Sequence, residues 1–183
     1  MSEEMLVCYC SPTLAGLKTG SLFSCPYSSQ KMIIKEIREF NQKLTQKGIR
    51  IIPVRISDKR MLVYVYRPEK LKEDFSDEKT QIILKCKGYD CTNLSQCICR
   101  LIQKLQSDPD FPHEIGLFLG YPAEDVKGFI ENKAACSKCS GCWKVYGDEQ
   151  ATRILFKKYK KCTEIYCRRW KSGVAVEQLT ITI

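Results

Sequence analysis

Hydrophobic positions recur along this chain in two rhythms, and the clearer one is helical. Leu94, Cys97, Ile98, Leu101, Ile102 and Leu105 follow the order i, i+3, i+4, i+7, i+8, i+11. That order lines one stripe of an α-helix, with Thr92 or Asn93 placed to cap it. Ile33, Ile37, Phe40 and Leu44 predict a second helix over residues 29–47, and Gly48 stands where it stops. A short helix over 113–119 ends at Gly120, and Pro122 opens another through Asn132, so the two form a tight helical hairpin. The last long helix spans about 148–171, with a stripe of Ala151, Leu155, Tyr159, Cys162 and Tyr166.

The second rhythm is that of strands. Residues 5–10 (MLVCYC) read as a short buried strand running into a loop, and 22–25 as another. Residues 49–56 and 61–67 predict a hairpin around Ser57-Asp58-Lys59-Arg60. Pro53 puts the first of these two strands at an edge, because it has no N–H for a ladder. Val63 and Val65 alternate with Tyr64 and Tyr66, so both faces of the second are covered. Asp108-Pro109-Asp110-Phe111-Pro112 breaks the chain, and 174–183 reads as a terminal strand. This order predicts one α/β (or α+β) domain over residues 1–183: a small mixed sheet, packed helices and a C-terminal helical segment.

Composition changes the picture mainly through cysteine. The chain has 183 residues and twelve cysteines, and it begins MSEEM, a start too acidic and polar for a secretory leader. No apolar run approaches the roughly 20 residues of a membrane span. A cytoplasmic setting follows as the expectation, where thiols stay reduced and abundant cysteine points to metal binding or thiol chemistry. The net charge of +9 suits an anionic partner, but no basic-aromatic interleaving accompanies it. Lys157, Lys158, Lys160, Lys161, Arg168, Arg169 and Lys171 read as a solvated helix face. The expected partner is a redox protein, with no membrane and no nucleic acid.

Cys136, Cys139 and Cys142 carry the sharpest local motif, C-x2-C-x2-C, the first three ligands of a ferredoxin-type run. Tyr146-Gly147 stands where the run's fourth cysteine belongs, so a distant thiol such as Cys162, Cys10 or Cys25 must complete the set. An iron–sulfur cluster or zinc is the cofactor such a site would hold. Cys139 and Cys142, flanked by Lys138 and Lys144, form a functional pair in this reading, with Trp143 either walling the site or anchoring the loop. Cys8 and Cys10, two apart on a strand, face one side; Cys8 is a packing residue, and Cys10 at the strand's end is a candidate nucleophile. His113 is the single histidine and the candidate base, with Glu114 available to orient it. Cys97 and Cys162 lie on apolar stripes and are core residues first.

Six blocks resemble a known family in the same order along nearly the whole chain: residues 10–18 (CSPTLAGLK), 22–25 (LFSC), 111–122 (FPHEIGLFLGYP), 124–130 (EDVKGFI), 141–148 (GCWKVYGD) and 159–167 (YKKCTEIYC). The chain is similar to domain-of-unknown-function family 3793, found mainly in anaerobic bacteria. The resemblance implies a single cytosolic domain and no established activity. It directs attention to Cys10, Cys25, His113, Cys142, Trp143 and Cys162. Three function classes stand open: a thiol-redox or metal–thiolate protein, a Cys–His hydrolase or acyl transferase using Cys10 and His113, and a non-catalytic basic binding module.

Overall fold

The computed structural model describes residues 1–107 and 110–182. In chain order it runs α1 (Glu3–Leu14), β1 (Gly20–Pro26), α2 (Gln30–Leu44), β2 (Arg50–Ile56), β3 (Arg60–Tyr66), α3 (Pro68–Ser76), α4 (Glu78–Cys86), α5 (Leu94–Ser107), α6 (Ile115–Phe118), α7 (Ala123–Asn132), β4 (Cys139–Ser140), β5 (Lys144–Val145), α8 (Glu149–Lys171) and α9 (Val176–Leu179). This is the expected mixed class of helices on a small sheet. The pairing is antiparallel in both of its sheets rather than mixed in direction. The expected break at Asp108-Pro109 and the final Ile183 lie outside the described residues. Internal contacts divide the chain into two compact units, Met1–Glu69 with Tyr159–Ile183, and Lys70–Lys158.

The first unit is built on the strand order β1-β3-β2. Central β3 buries Val63, Tyr64, Val65 and Tyr66, so both its faces are covered, as the alternation predicts. β2 lies at an edge, and its register slips between Pro53 and Arg55, where proline supplies no N–H. Asn41 of α2 closes that edge locally: its amide accepts from Ile51 N–H at 2.9 Å and donates to the Ile51 carbonyl at 2.7 Å. Ile33, Ile37 and Leu44 of α2 and Leu6, Val7, Cys10 and Leu14 of α1 complete one core with Phe23, Ile51 and Val65. Each such large apolar side chain contributes about 1.5–3 kcal/mol on burial. Gly48 takes a φ of 75° after the 3-10 turn Thr45–Lys47, the left-handed stop expected there.

Two expected strands are helices. Residues 5–10 lie inside α1, capped by Ser2, whose hydroxyl accepts from Met5 N–H, and started by Glu3 and Glu4. The buried set Leu6, Val7, Cys10, Leu14 follows i, i+1, i+4, i+8, a helical spacing that Pro12 disguises. Pro12 sits near the helix end, where little of the ladder remains to be lost. At the C-terminus, Val176 and Leu179 share one face of α9 and dock into the same core, and Ile181 N–H bonds the Leu14 carbonyl at 3.2 Å. Their β-branched neighbours suggest a strand, but the i, i+3 contact with the core prevails.

The second unit is mostly helical. Phe118 of α6 is its centre, edge-on to Phe75 of α3 at 5.0 Å and tilted against Tyr89 at 5.5 Å. Cys97, Ile98, Leu101 and Leu105 are buried along α5, and Asn93 caps it by accepting from Gln96 N–H. α3 and α4 had no counterpart in the sequence reading, although Pro68 at the first position and the Leu71/Phe75 pair mark α3. Buried Glu114 accepts from Lys104 at 2.7 Å and from the Tyr89 hydroxyl at 3.0 Å. Burial works to raise that carboxyl, but these donors, Lys104 above all, outweigh it and hold it below the ordinary range. Among the described residues no helix is long and apolar enough to cross a membrane.

Candidate functional site

On a strand, Cys8 and Cys10 would face one side. On α1 they stand about 200° apart around the axis. Cys10 therefore points into the core and is fully buried, while Cys8 is exposed. This reverses the expected roles of the two. Burial pushes the Cys10 thiol from 9.0 up to about 12, against opposing pulls from Lys18 and a Ser21 hydrogen bond. A thiol so held stays protonated at neutral pH and is a poor nucleophile.

The sign of that shift sets a pH dependence for folding. The folded value lies above the unfolded one, so the stabilisation is complete below pH 9 and fades as pH rises toward 12. By pH 11 the loss from this one thiol is about 2–3 kcal/mol. Urea midpoints measured from pH 8 to 11 should fall, and Cys10→Ala should show a shallower decline over the same range. Equal slopes in the two proteins would refute the assignment.

Cys8 meets a partner that lies 159 residues away in sequence. Its sulfur stands 3.8 Å from that of Cys167 on α8, close enough for either thiol to donate to the other. Both belong to the first unit; Cys8 is exposed and Cys167 half-buried. Packing places them: Leu6, Val7 and Cys10 anchor the opposite face of α1, while Cys167 and Trp170 rest against the same core. Partial burial raises the Cys8 thiol first, then its bond to Cys167 and the charges of Cys167 and Glu4; Lys171 pulls it down. Sequence reasoning missed this pair. A helical reading of residues 3–14 would have turned Cys8 outward, but nothing local points to Cys167.

The C-x2-C-x2-C segment takes a different form from the one expected. Cys139 pairs with Val145 on β4, Cys142 lies exposed in the turn, and Cys136 is exposed with a φ of 57°. The segment is a small hairpin. Gly141 is required in it, because a Cβ there would meet the Phe156 ring at 2.3 Å. The hairpin is held by Asp125 of α7, which accepts from Trp143 Nε1, Tyr146 N–H and Gly147 N–H, each at 2.7 Å. Trp143 thus anchors the loop. Cys162 is in the first unit, buried on α8, and burial pushes its thiol up to about 11. Among the described residues no three His, Cys, Asp or Glu side chains gather to hold a metal ion. The donor set thus does not fit the expected cluster or zinc site.

His113 stands in the second unit and Cys10 in the first. The imidazole is exposed and set edge-on to Phe129 at 4.9 Å. Glu114 turns to Lys104 and Tyr89 instead of orienting it. Cys91 and Cys97 form a second thiol neighbourhood: Cys97 donates to the Asp90 carbonyl at 2.8 Å, and burial, with Cys91 and Asp90 adding to it, pushes Cys97 up to about 11. Cys25 is buried with its sulfur 3.7 Å from that of Met5.

The family described as "Protein of unknown function (DUF3793)" matches residues 6–180, nearly the whole chain. No curated protein and no solved structure is similar to it.

Proposed function

The chain belongs to the DUF3793 family, and from that premise we propose that it is a thiol–disulfide exchange protein working through Cys8 and Cys167. The observation that carries this reading is the 3.8 Å approach of two sulfurs, one of them exposed, on two helices of one unit. Exposed Cys8 meets the incoming disulfide of a redox partner. Its thiolate attacks one sulfur of that disulfide and expels the other as a thiolate, leaving a mixed disulfide. The Cys167 thiolate then attacks Cys8, breaks the mixed bond and releases the partner's second sulfur. The partner gains two electrons and the two protons that Cys8 and Cys167 lose; the chain is left with a Cys8–Cys167 disulfide. Because the Cys8 thiol is raised, exchange accelerates as pH climbs above neutrality.

Equilibration with oxidised and reduced glutathione, acid trapping and peptide mass spectrometry test the scheme. The expected product is a Cys8–Cys167 linked peptide. Cys167→Ser should stop at a mixed disulfide on Cys8, and Cys8→Ser should slow the reaction at least about tenfold, the scale of lost access to a reactive thiolate. If oxidation links other cysteines while Cys8 and Cys167 remain alkylatable, the proposal fails.

A further inference from the structure

The second unit holds a cavity of about 320 Å³ between α6, α7 and the β4–β5 hairpin. We propose that it is a binding site for a small aromatic carboxylate. Its walls are aromatic: Tyr121, itself stacked on Trp143 at 4.2 Å and 23°, and Phe129, with His113 set edge-on to it. Rings in such a wall favour a flat aromatic guest, which gains from edge or offset contacts beyond simple burial. The volume is at the lower end of the roughly 300–1,000 Å³ of small-molecule sites, which limits the guest to one or two rings.

Charge selects the guest's polar end. Ser140 and Lys144 are directly opposed across the hairpin, so both side chains leave the same face and line the cavity together. Among the described residues Lys144 forms no ion pair. Asp125 is the carboxylate in the wall, 2 % exposed, and its oxygens already take three N–H donors. The cavity therefore offers an ammonium and a hydroxyl, while the oxygens of Asp125 are already engaged by three donors. An anion fits that arrangement, and a carboxylate on a planar ring satisfies both ends at once.

His113 is the single histidine, so its imidazole C–H resonance reports on this wall without assignment. Titration of the full chain with indole-3-acetate should shift that resonance to saturation. Indole-3-acetamide, of the same shape without charge, should bind about tenfold more weakly, and Lys144→Met should remove the preference for the acid. Ser140→Ala is a second, milder variant and should weaken the acid by a smaller factor. Absence of a saturable shift up to about 10 mM would overturn the proposal. Equal binding of acid and amide, or an acid preference that survives Lys144→Met, would overturn it equally.

Discussion

Replacing Arg67 by Met should lower the stability of the first unit by about 3–5 kcal/mol, the largest effect expected of any single substitution here. Arg67 is 2 % exposed and forms no ion pair among the described residues. Its guanidinium donates instead to four carbonyls: Thr13 at 2.7 Å, Leu14 at 2.7 Å, Lys47 at 3.0 Å and Ile181 at 2.8 Å. Thr13 and Leu14 end α1, and Lys47 ends the turn that follows α2, so three of the four are helix-end carbonyls with no partner one turn on in their own helix; Gly16 and Ile181 N–H groups share those of Thr13 and Leu14 with Arg67. The negative ends of two helix dipoles converge there and favour the buried positive charge. Met keeps the stem's packing but takes the donor from all four carbonyls: those of Thr13 and Leu14 retain the Gly16 and Ile181 N–H groups, whereas those of Lys47 and Ile181 lose the guanidinium that holds them, each costing about 1–3 kcal/mol. Arg67→Lys should recover part of the loss, because one ammonium reaches fewer of the four oxygens than a planar fork does. Urea unfolding followed by circular dichroism reads both variants. A loss below about 1 kcal/mol for Arg67→Met would show that water satisfies these carbonyls.

Asp125→Asn should cost the second unit about 2–4 kcal/mol. One carboxylate oxygen accepts the Tyr146 and Gly147 amides and the other the Trp143 indole, so every hydrogen bond at this group arrives from a donor. An amide places an NH2 where an acceptor is needed, setting donor against donor whichever way it turns. Asp125 also sits in the first turn of α7, where the helix dipole favours its charge. The expected signature is local as well as global: faster hydrogen exchange at Lys138, whose N–H bonds the Val145 carbonyl, and altered emission from Trp143 in a Trp170→Phe background. Unchanged exchange at that amide would mean that the β4–β5 ladder stands without its anchor.

Much of the fold was legible because its signals are local. The stripe Leu94–Leu105 and the set Ile33, Ile37, Leu44 each fix a helix and its inward face within a dozen residues. Pro53 declares an edge, and Gly48 a stop, by what each backbone can and cannot do. Short segments fared worse. MLVCYC is apolar in either conformation, and a run of six residues carries too few turns for its period to show. The choice rests with Ser2, Glu3 and Leu14, which lie outside the run and complete α1. The C-terminal segment shows the same ambiguity, settled by Val176 and Leu179 meeting the core.

The candidate site divides along the same line. Composition shows a cysteine-rich chain, and the blocks around His113, Asp125 and Trp143 mark residues that the second unit draws together around one cavity. Which thiols meet is a different kind of fact. Cys136, Cys139 and Cys142 are neighbours in sequence, yet a two-residue ladder and the Asp125 anchor spend their loop on a hairpin. Cys8 and Cys167 are 159 residues apart and lie at 3.8 Å. Periodicity records which face of an element is buried, because burial repeats with each turn. It holds no record of which two faces meet, since that contact arises once, from the packing of α1 and the end of α8 on a shared core.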